Sequence, residues 1–352
     1  MKNHISLFIF AIALLSGPVS ANDLSMTAVK DTLASIPGEH NYIYVRTPLG
    51  EDEEKNYDEI TFYDGLGREL DFAQSYGADR AGAIMAHHHL IEYDSLGRKE
   101  KQWLSTNTSF SYMSPEDLKG GVLWDYHDAG KRSYLQTNYE SSPLNRITEQ
   151  YGVGDAWGDH PARMEYLTNI PADSLRCSFY FIDDNDSLIR RGDYRSGELQ
   201  VTKATDEDGK PTYTFVDKQG RTLLTRLGRG NQQADTYFVF DRFGRIRYVL
   251  PPMINDEISA GNLDLYAYQY LYDSFGRCIS KKLPGCAAIG YVYDKADRVI
   301  LSQNGNQSQK KEWTFTFYDN QGRLALTGLC SFNDPPSLDN SIVCLLYTSP
   351  SP

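Results

Sequence analysis

"YDSFGR" at Tyr272–Arg277 is one of a set of hexapeptides that punctuate this 352-residue chain. It recurs as "YDGLGR" (Tyr63–Arg68), "YDSLGR" (Tyr93–Arg98), "VDKQGR" (Val216–Arg221), "FDRFGR" (Phe240–Arg245) and "YDNQGR" (Tyr318–Arg323). "YDKADR" (Tyr293–Arg298) and "HDAGKR" (His127–Arg132) are looser versions. Before the Asp lies an alternating run such as "EWTFTFYD", which places Trp313, Phe315 and Phe317 on one face and Thr314 and Thr316 on the other. After the Arg comes a second short run, "LALTG", with Leu324 and Leu326 on one face. A period of two on both sides of a four-residue break predicts a β-hairpin.

The break has its own mechanism. Asp at the first turn position accepts bonds from nearby backbone N–H groups, as type I turns favour. Gly three residues later takes the left-handed conformation that starts the return strand with a bulge. In "YDKADR" that position is Asp297, and Asp is among the few residues that tolerate it. The expected turn residues are therefore Asp64, Gly67 and Arg68; Asp94, Gly97 and Arg98; Asp217, Gly220 and Arg221; Asp241, Gly244 and Arg245; Asp273, Gly276 and Arg277; Asp294, Asp297 and Arg298; and Asp319, Gly322 and Arg323. Each Arg is placed to reach the Asp of its own hairpin or of a neighbour. An exposed pair of that kind contributes roughly 0–1 kcal/mol, so setting register is its expected role. A catalytic group is needed once, whereas a turn is needed at every hairpin; the recurrence is architectural. The expected fold is all-β, tandem antiparallel hairpins in a curved, twisted sheet. Irregular loops are expected at Phe72–Ala86, Ser105–Gly121 and Pro251–Leu263, with a short helical turn at "SPEDLK" (Ser114–Lys119), where Pro takes the first helical position.

The N-terminus reads as a signal peptide over residues 1–21: Lys2, an apolar run from Ile5 to Leu15, Gly17–Pro18, then Val19, Ser20 and Ala21 before the expected cleavage. Export to the periplasm, cell surface or medium is the expectation. The apolar run is too short to span a bilayer, and no transmembrane segment is expected. A net charge of −12 without a basic stripe argues against a nucleic-acid partner. Five cysteines lack metal-type spacing; free buried thiols are the default reading, and the alternative is a bridge between Cys278 and Cys286, near enough in sequence to pair in an oxidising compartment.

No catalytic, cofactor-binding or metal-ligating residue is assigned. In "HHH" (His87–His89), strand alternation sends His88 to the face opposite His87 and His89, and no acidic or Cys partner stands at matching spacing. "DDND" (Asp183–Asp186) lacks the calcium-loop pattern and reads as a degenerate hairpin turn. "EDEE" (Glu51–Glu54) reads as a solvated loop. Phosphate-loop, zinc-protease and nucleophile-elbow motifs are absent from the sequence. "LYAYQYLYD" places Tyr266, Tyr268, Tyr270 and Tyr272 on one face of a strand, a candidate sugar-stacking row whose alternative is packing against a neighbouring strand.

The tandem "YD-x-x-GR" hairpins resemble the YD-repeat proteins of the RHS class. "YESSPLNRITEQYGVGDAW" (Tyr139–Trp157), "YLTN" (Tyr166–Asn169), "VTKATDEDG" (Val201–Gly209) and "YVLPP" (Tyr248–Pro252) resemble the uncharacterised N-terminal domain that precedes the repeat-associated core in secreted RHS-type proteins. The resemblance implies a sheet of successive hairpins winding into a hollow shell around a C-terminal effector segment, released by Asp residues of a core motif. "NDPPSLDN" (Asn333–Asn340) lacks the Gly-Leu of that motif, so no catalytic role carries over. The division implied is 22–250 for the N-terminal domain with early repeats, 251–330 for further hairpins and 331–352 for an irregular tail, in part artefactual. The expected function is a non-catalytic scaffold, the N-terminal part of such a shell, whose partner is the remainder of a longer polypeptide. The alternatives are a surface carbohydrate-binding or adhesion module and, more weakly, a polymer-degrading hydrolase. No cofactor is expected.

Overall fold

The computed structural model describes residues 40–48, 56–78, 84–127, 130–229, 232–254 and 257–331. The expected signal peptide, Glu51–Glu54, Asp128 of "HDAGKR", the Asn333–Asn340 stretch, Cys344 and the rest of the tail after Ser331 lie outside them. The chain divides into two compact units, Met1–Met164 with Asp206–Gly209 and Glu165–Thr205 with Lys210–Pro352. Among the described residues twenty strands belong to one hydrogen-bonded sheet, and two more form a separate hairpin.

The first unit holds β1 (Asn41–Pro48), β2 (Asn56–Tyr63), β3 (Glu69–Ala78), β4 (Ile84–Tyr93), β5 (Lys99–Trp103), β6 (Thr106–Ser109), β7 (Tyr134–Tyr139), β8 (Ile147–Tyr151) and the start of β9 (Ala162–Thr168). β1 to β4 form an antiparallel meander. β4 then forks: Met85–His88 pair with β6, and Ile91–Tyr93 pair with β5, which leads on to β7 and β8. Alternation decides the faces. Ile60 and Phe62 of β2, Ala73 of β3 and Ala86 of β4 all turn inward and are buried around Phe110.

The second unit contains the separate hairpin β10 (Ser178–Ile182) and β11 (Leu188–Asp193). It continues with β12 (Gln200–Thr205), β13 (Pro211–Val216), β14 (Thr222–Arg229), β15 (Gln232–Phe240), β16 (Ile246–Leu250) and β17 (Tyr268–Tyr272). β18 (Cys278–Lys282), β19 (Ile289–Tyr293), β20 (Val299–Gln303), β21 (Glu312–Tyr318) and β22 (Leu324–Ser331) complete it. From β12 to β22 each strand pairs antiparallel with the next. The larger core gathers Val201, Phe215, Leu224, Val239 and Leu250 from five successive strands. A smaller one joins Ile300, Leu301 and Trp313.

The three expected loops are corrected by the structure. Phe72–Ala86 is mostly strand, since β3 runs to Ala78 and β4 starts at Ile84. Ser105–Gly121 contains β6 and most of helix α1 (Pro115–Asp125), capped by the Ser114 side chain at Asp117 N–H. The short turn becomes a full helix because Leu118 and Val122, one turn apart, are both buried. Gly121 makes this packing feasible, for a Cβ there would stand 2.7 Å from Thr106 Oγ1. Pro251–Leu263 holds a 3-10 turn, Pro252–Ile254, and most of helix α2 (Ala260–Tyr266). Helix α3 (Gly305–Lys310) separates β20 from β21 and starts with a reciprocal Asn304–Gln307 capping box.

The turn glycines of the hexapeptides have φ between +78° and +86°, and Asp297 has φ +59°. We expect Gly276→Val, at the most positive of these angles, to destabilise the protein by more than about 1 kcal/mol, because a β-branched residue resists this conformation. A lowered urea midpoint with unchanged slope checks this.

Candidate functional site

The seven turns in which Asp-x-x-Gly/Asp is followed by Arg are built alike. Asp Oδ1 accepts the N–H of the residue two later, at 2.8–3.0 Å. The same oxygen accepts the Arg N–H at 2.9 Å in every copy. Oδ2 accepts Arg Nε at 2.7–2.8 Å. On the backbone, the Asp carbonyl accepts the N–H of the fourth turn residue, and the Asp N–H donates to the Arg carbonyl. The result is a type I turn closed by a one-residue bulge, visible as a register shift such as that between Leu271 and Tyr272. One carboxylate thus fastens the turn and holds its own guanidinium in place.

The aromatic residue before the Asp belongs to a different repeat's chemistry. Arg68 lies over the ring of Tyr93, Arg98 over Tyr139, Arg221 over Phe240, Arg245 over Tyr272, Arg277 over Tyr293 and Arg298 over Tyr318, at 4.6–5.2 Å. Each guanidinium is stacked by the aromatic of the following rung. Where that residue is Tyr, its hydroxyl donates back to the carbonyl just after the Arg, at 2.7–3.1 Å: Glu69, Lys99, Ile246, Cys278 and Val299. Three arginines also reach forward: Arg98, Arg245 and Arg277 donate from Nη1 to the carbonyls of Glu140, Asp273 and Asp294. Strand register makes the stack. Carried three residues on from Leu301↔Phe315, it puts Tyr318 opposite Arg298, and carried on from Tyr248↔Gln269 it puts Tyr272 opposite Arg245.

Two irregular segments use the same device. In "YESSPLNR", Glu140 replaces Asp and takes Arg146 Nε and Nη2 at 2.8 and 2.6 Å. Asn145, at φ +54°, stands where the glycine would be. At "DDND", Asp183 Oδ1 accepts the N–H of Asn185 and of Ser187, Asp186 has φ +62°, and the turn joins β10 to β11. Arg247, from β16, pairs with Asp186 at 2.8 Å.

Other candidates are held in structural contacts. The tyrosine row is corrected: Tyr266 ends helix α2 and packs against the larger core, so only Tyr268, Tyr270 and Tyr272 share a strand. Tyr272 is already covered by Arg245. His88 is buried, with Nδ1 at 2.7 Å from Asp71 Oδ2 and Nε2 at 3.0 Å from the Ser109 carbonyl oxygen. That carbonyl only accepts, so Nε2 carries a proton. Among the described residues no group of three or more His, Cys, Asp or Glu is placed to hold a metal. Cys177, Cys278, Cys286 and Cys330 are free thiols, so Cys278 and Cys286 do not bridge. A cleft of about 260 Å³ lies beside Tyr180, Asp235, Tyr237 and Pro252. Its carboxylate is taken by the buried Arg226, through Nε at 2.7 Å and Nη2 at 2.6 Å, which leaves a structural ion pair rather than a poised base.

Residues 41–168 match the family model described as a domain of unknown function, DUF6443, over less than half of the chain. No match is found among curated proteins. The structure is similar to that of TcdB2-TccC3, with a TM-score of 0.54 and 14% identity, covering 84% of this chain and 14% of that one. It is equally similar to TcdB2-TccC3-Cdc42, with a TM-score of 0.55, 14% identity and the same coverage. The likeness concerns the fold, and this chain spans 14% of the length of those chains.

Acid should attack the ladder directly. All seven turn carboxyls are held below the ordinary aspartate range. At Asp64 and Asp319 the Arg backbone N–H is the main cause. At Asp94, Asp217, Asp241, Asp273 and Asp294 burial is the largest single influence and pushes upward, but the Arg N–H, the guanidinium and the second backbone N–H together outweigh it. A depressed carboxyl stabilises the fold above its unfolded value, about 3.9, and that stabilisation is lost as pH falls through the folded value. Urea midpoints should therefore fall below about pH 4, and Asp273→Asn should lower the midpoint more at pH 7 than at pH 3. The stack is open to a separate check. A double-mutant cycle of Arg277→Ala and Tyr293→Ala should give a coupling of about 1 kcal/mol, whereas Arg277→Lys, which keeps charge but loses the planar fork, should recover only part of it.

Proposed function

We propose that this chain is a non-catalytic β-hairpin scaffold, the N-terminal stretch of an exported RHS/YD-repeat shell that encloses or presents a C-terminal segment of the same longer polypeptide. The observation that carries this reading is the rung: the groups that recur in the sequence are consumed in fastening one hairpin to the next. Each turn carboxylate is saturated by backbone N–H groups and a guanidinium, and six of the guanidinia are covered by a neighbour's ring. Groups satisfied in this way have no capacity left for proton transfer or nucleophilic attack. The repetition of one supersecondary unit that contacts only its neighbours is the physical basis of an extended wall. The shared fold with TcdB2-TccC3 supports the same reading.

Limited proteolysis of the complete gene product tests it. Under the scaffold reading, the C-terminal segment resists protease while the hairpin region is intact, and becomes sensitive once Gly276→Val or mild acid loosens the turns. A C-terminal segment cut as fast in the intact protein as when isolated would overturn enclosure. A complete reading frame without further repeats would remove the shell.

A further inference from the structure

Among the described residues the ladder has six closed rungs and one open one. Arg323 is fastened like the others, with Nε at 2.7 Å from Asp319 Oδ2. Its side chain is nevertheless 73% exposed, against 15–33% for the six arginines that carry a ring. Among the described residues no ring stands over it. The strand that follows it, β22, pairs with β21 along its whole length and with no other described strand. Its three leucines are bare: Leu324, Leu326 and Leu329 are 63%, 56% and 64% exposed. In the inner strand β20, Ile300 and Leu301 follow the arginine and are buried at 2% and 0%. An unpaired strand edge with exposed leucines is a template for another strand.

We infer that the outer edge of β22, with the Arg323 guanidinium and the Leu324 carbonyl oxygen, is a docking site for an antiparallel strand ending in Tyr-Asp, supplied by a further hairpin of the same repeat chemistry. This deepens the scaffold reading and rests on it. The closed rungs specify the contacts. The incoming Tyr lies opposite Arg323, with its ring about 5 Å from the guanidinium, and its hydroxyl donates to the Leu324 carbonyl as Tyr318 donates to Val299. The residue three positions before that Tyr falls opposite Leu326, as Phe315 falls opposite Leu301. Arg323 Nη1 then faces the carbonyl of the incoming Asp, as Arg277 Nη1 meets that of Asp294. A ring with a hydroxyl is selected over a bare strand, because the stack needs the ring and the bond to the Leu324 carbonyl needs the hydroxyl, whereas the contact from Arg323 Nη1 is made to backbone.

Hydrogen exchange on the full chain, with a synthetic peptide copying Glu312–Ser331 added at about millimolar concentration, tests the site. The expected result is a several-fold slowing of exchange at the outer amides of Leu324–Ser331. A peptide carrying Tyr318→Phe should retain part of the protection and one carrying Tyr318→Ala should lose most of it. The chain variant Arg323→Ala should lose it too, while exchange in β13–β15 stays unchanged and reports intact folding. Because an isolated hairpin is marginal in water, the same peptide is also tethered through a Gly/Ser linker after Ser331, in place of residues 332–352, which holds it beside the edge without relying on the solubility of free peptide. No protection in either format overturns the proposal. Equal protection by the Tyr318→Ala peptide, or of the Arg323→Ala chain, also overturns it and reveals sequence-blind edge pairing, including pairing with a second copy of the chain. Neither failure touches the scaffold reading, which is judged by protection of the C-terminal segment.

Discussion

One carboxylate does two jobs at each turn, and the rest of the ladder depends on that coincidence. By taking the Arg backbone N–H and Arg Nε together, as Asp273 does at 2.9 and 2.7 Å, it closes the hairpin and freezes a long side chain that would otherwise wander. A free arginine loses close to 2 kcal/mol of rotamer entropy when it is immobilised. Here that ordering is done within six residues of sequence, before any neighbour is involved. The guanidinium then offers a rigid plate to the next strand. The aromatic ring meets a surface already in position, and the stack contributes its attraction with little further ordering.

This division of labour explains what could be read from the sequence. The turn lies within six consecutive residues, and its Asp, Gly and Arg each have a local reason to be where they are; Asp297 in the glycine position follows from the same conformational rule. The tyrosine was opaque because its partner stands in the preceding rung, at a separation that varies from Arg277–Tyr293 to Arg98–Tyr139. A signal did exist. The residue before the Asp is aromatic in all but one of the seven hexapeptides with the complete turn, the exception being Val216, and hairpin geometry alone has no need of an aromatic there. The expanded rung at Glu140–Arg146 was visible only as a family-like block, since two extra residues and a Glu conceal the shared geometry.

The loops misread from sequence fail for a different reason. Helix α1 carries adjacent glycines, Gly120 and Gly121, which lower intrinsic helicity, and its apolar residues do not form a clean stripe. Its length is decided by contact with β6, where the missing side chain of Gly121 admits Thr106. The tyrosine row fails at one residue: alternation holds from Tyr268, but Leu263 and Tyr266 are drawn into the core by helix α2, and the strand begins only after it. In both places tertiary packing overrides a local pattern, whereas at the turns local pattern and packing agree.

Agreement of that kind also bears on specificity. An antiparallel sheet of alternating residues is always one slip from exchanging its faces, and a long row of similar hairpins multiplies the wrong registers available. Backbone hydrogen bonds alone do not discriminate among them. The rung does, because a shift of one residue carries the ring off the guanidinium and the hydroxyl off its single carbonyl acceptor, while the turn holds both in place. Tyr293 shows the coupling in one side chain: its ring covers Arg277 and its hydroxyl reaches the Cys278 carbonyl at 2.8 Å, two contacts to adjacent residues that no other register can satisfy together. The modest energy of each rung is therefore less important than its dependence on alignment. A sheet that must grow hairpin by hairpin needs a term that rewards only the correct placement of each new strand, and the alternation of Asp, Arg and Tyr supplies it at each rung that carries a tyrosine.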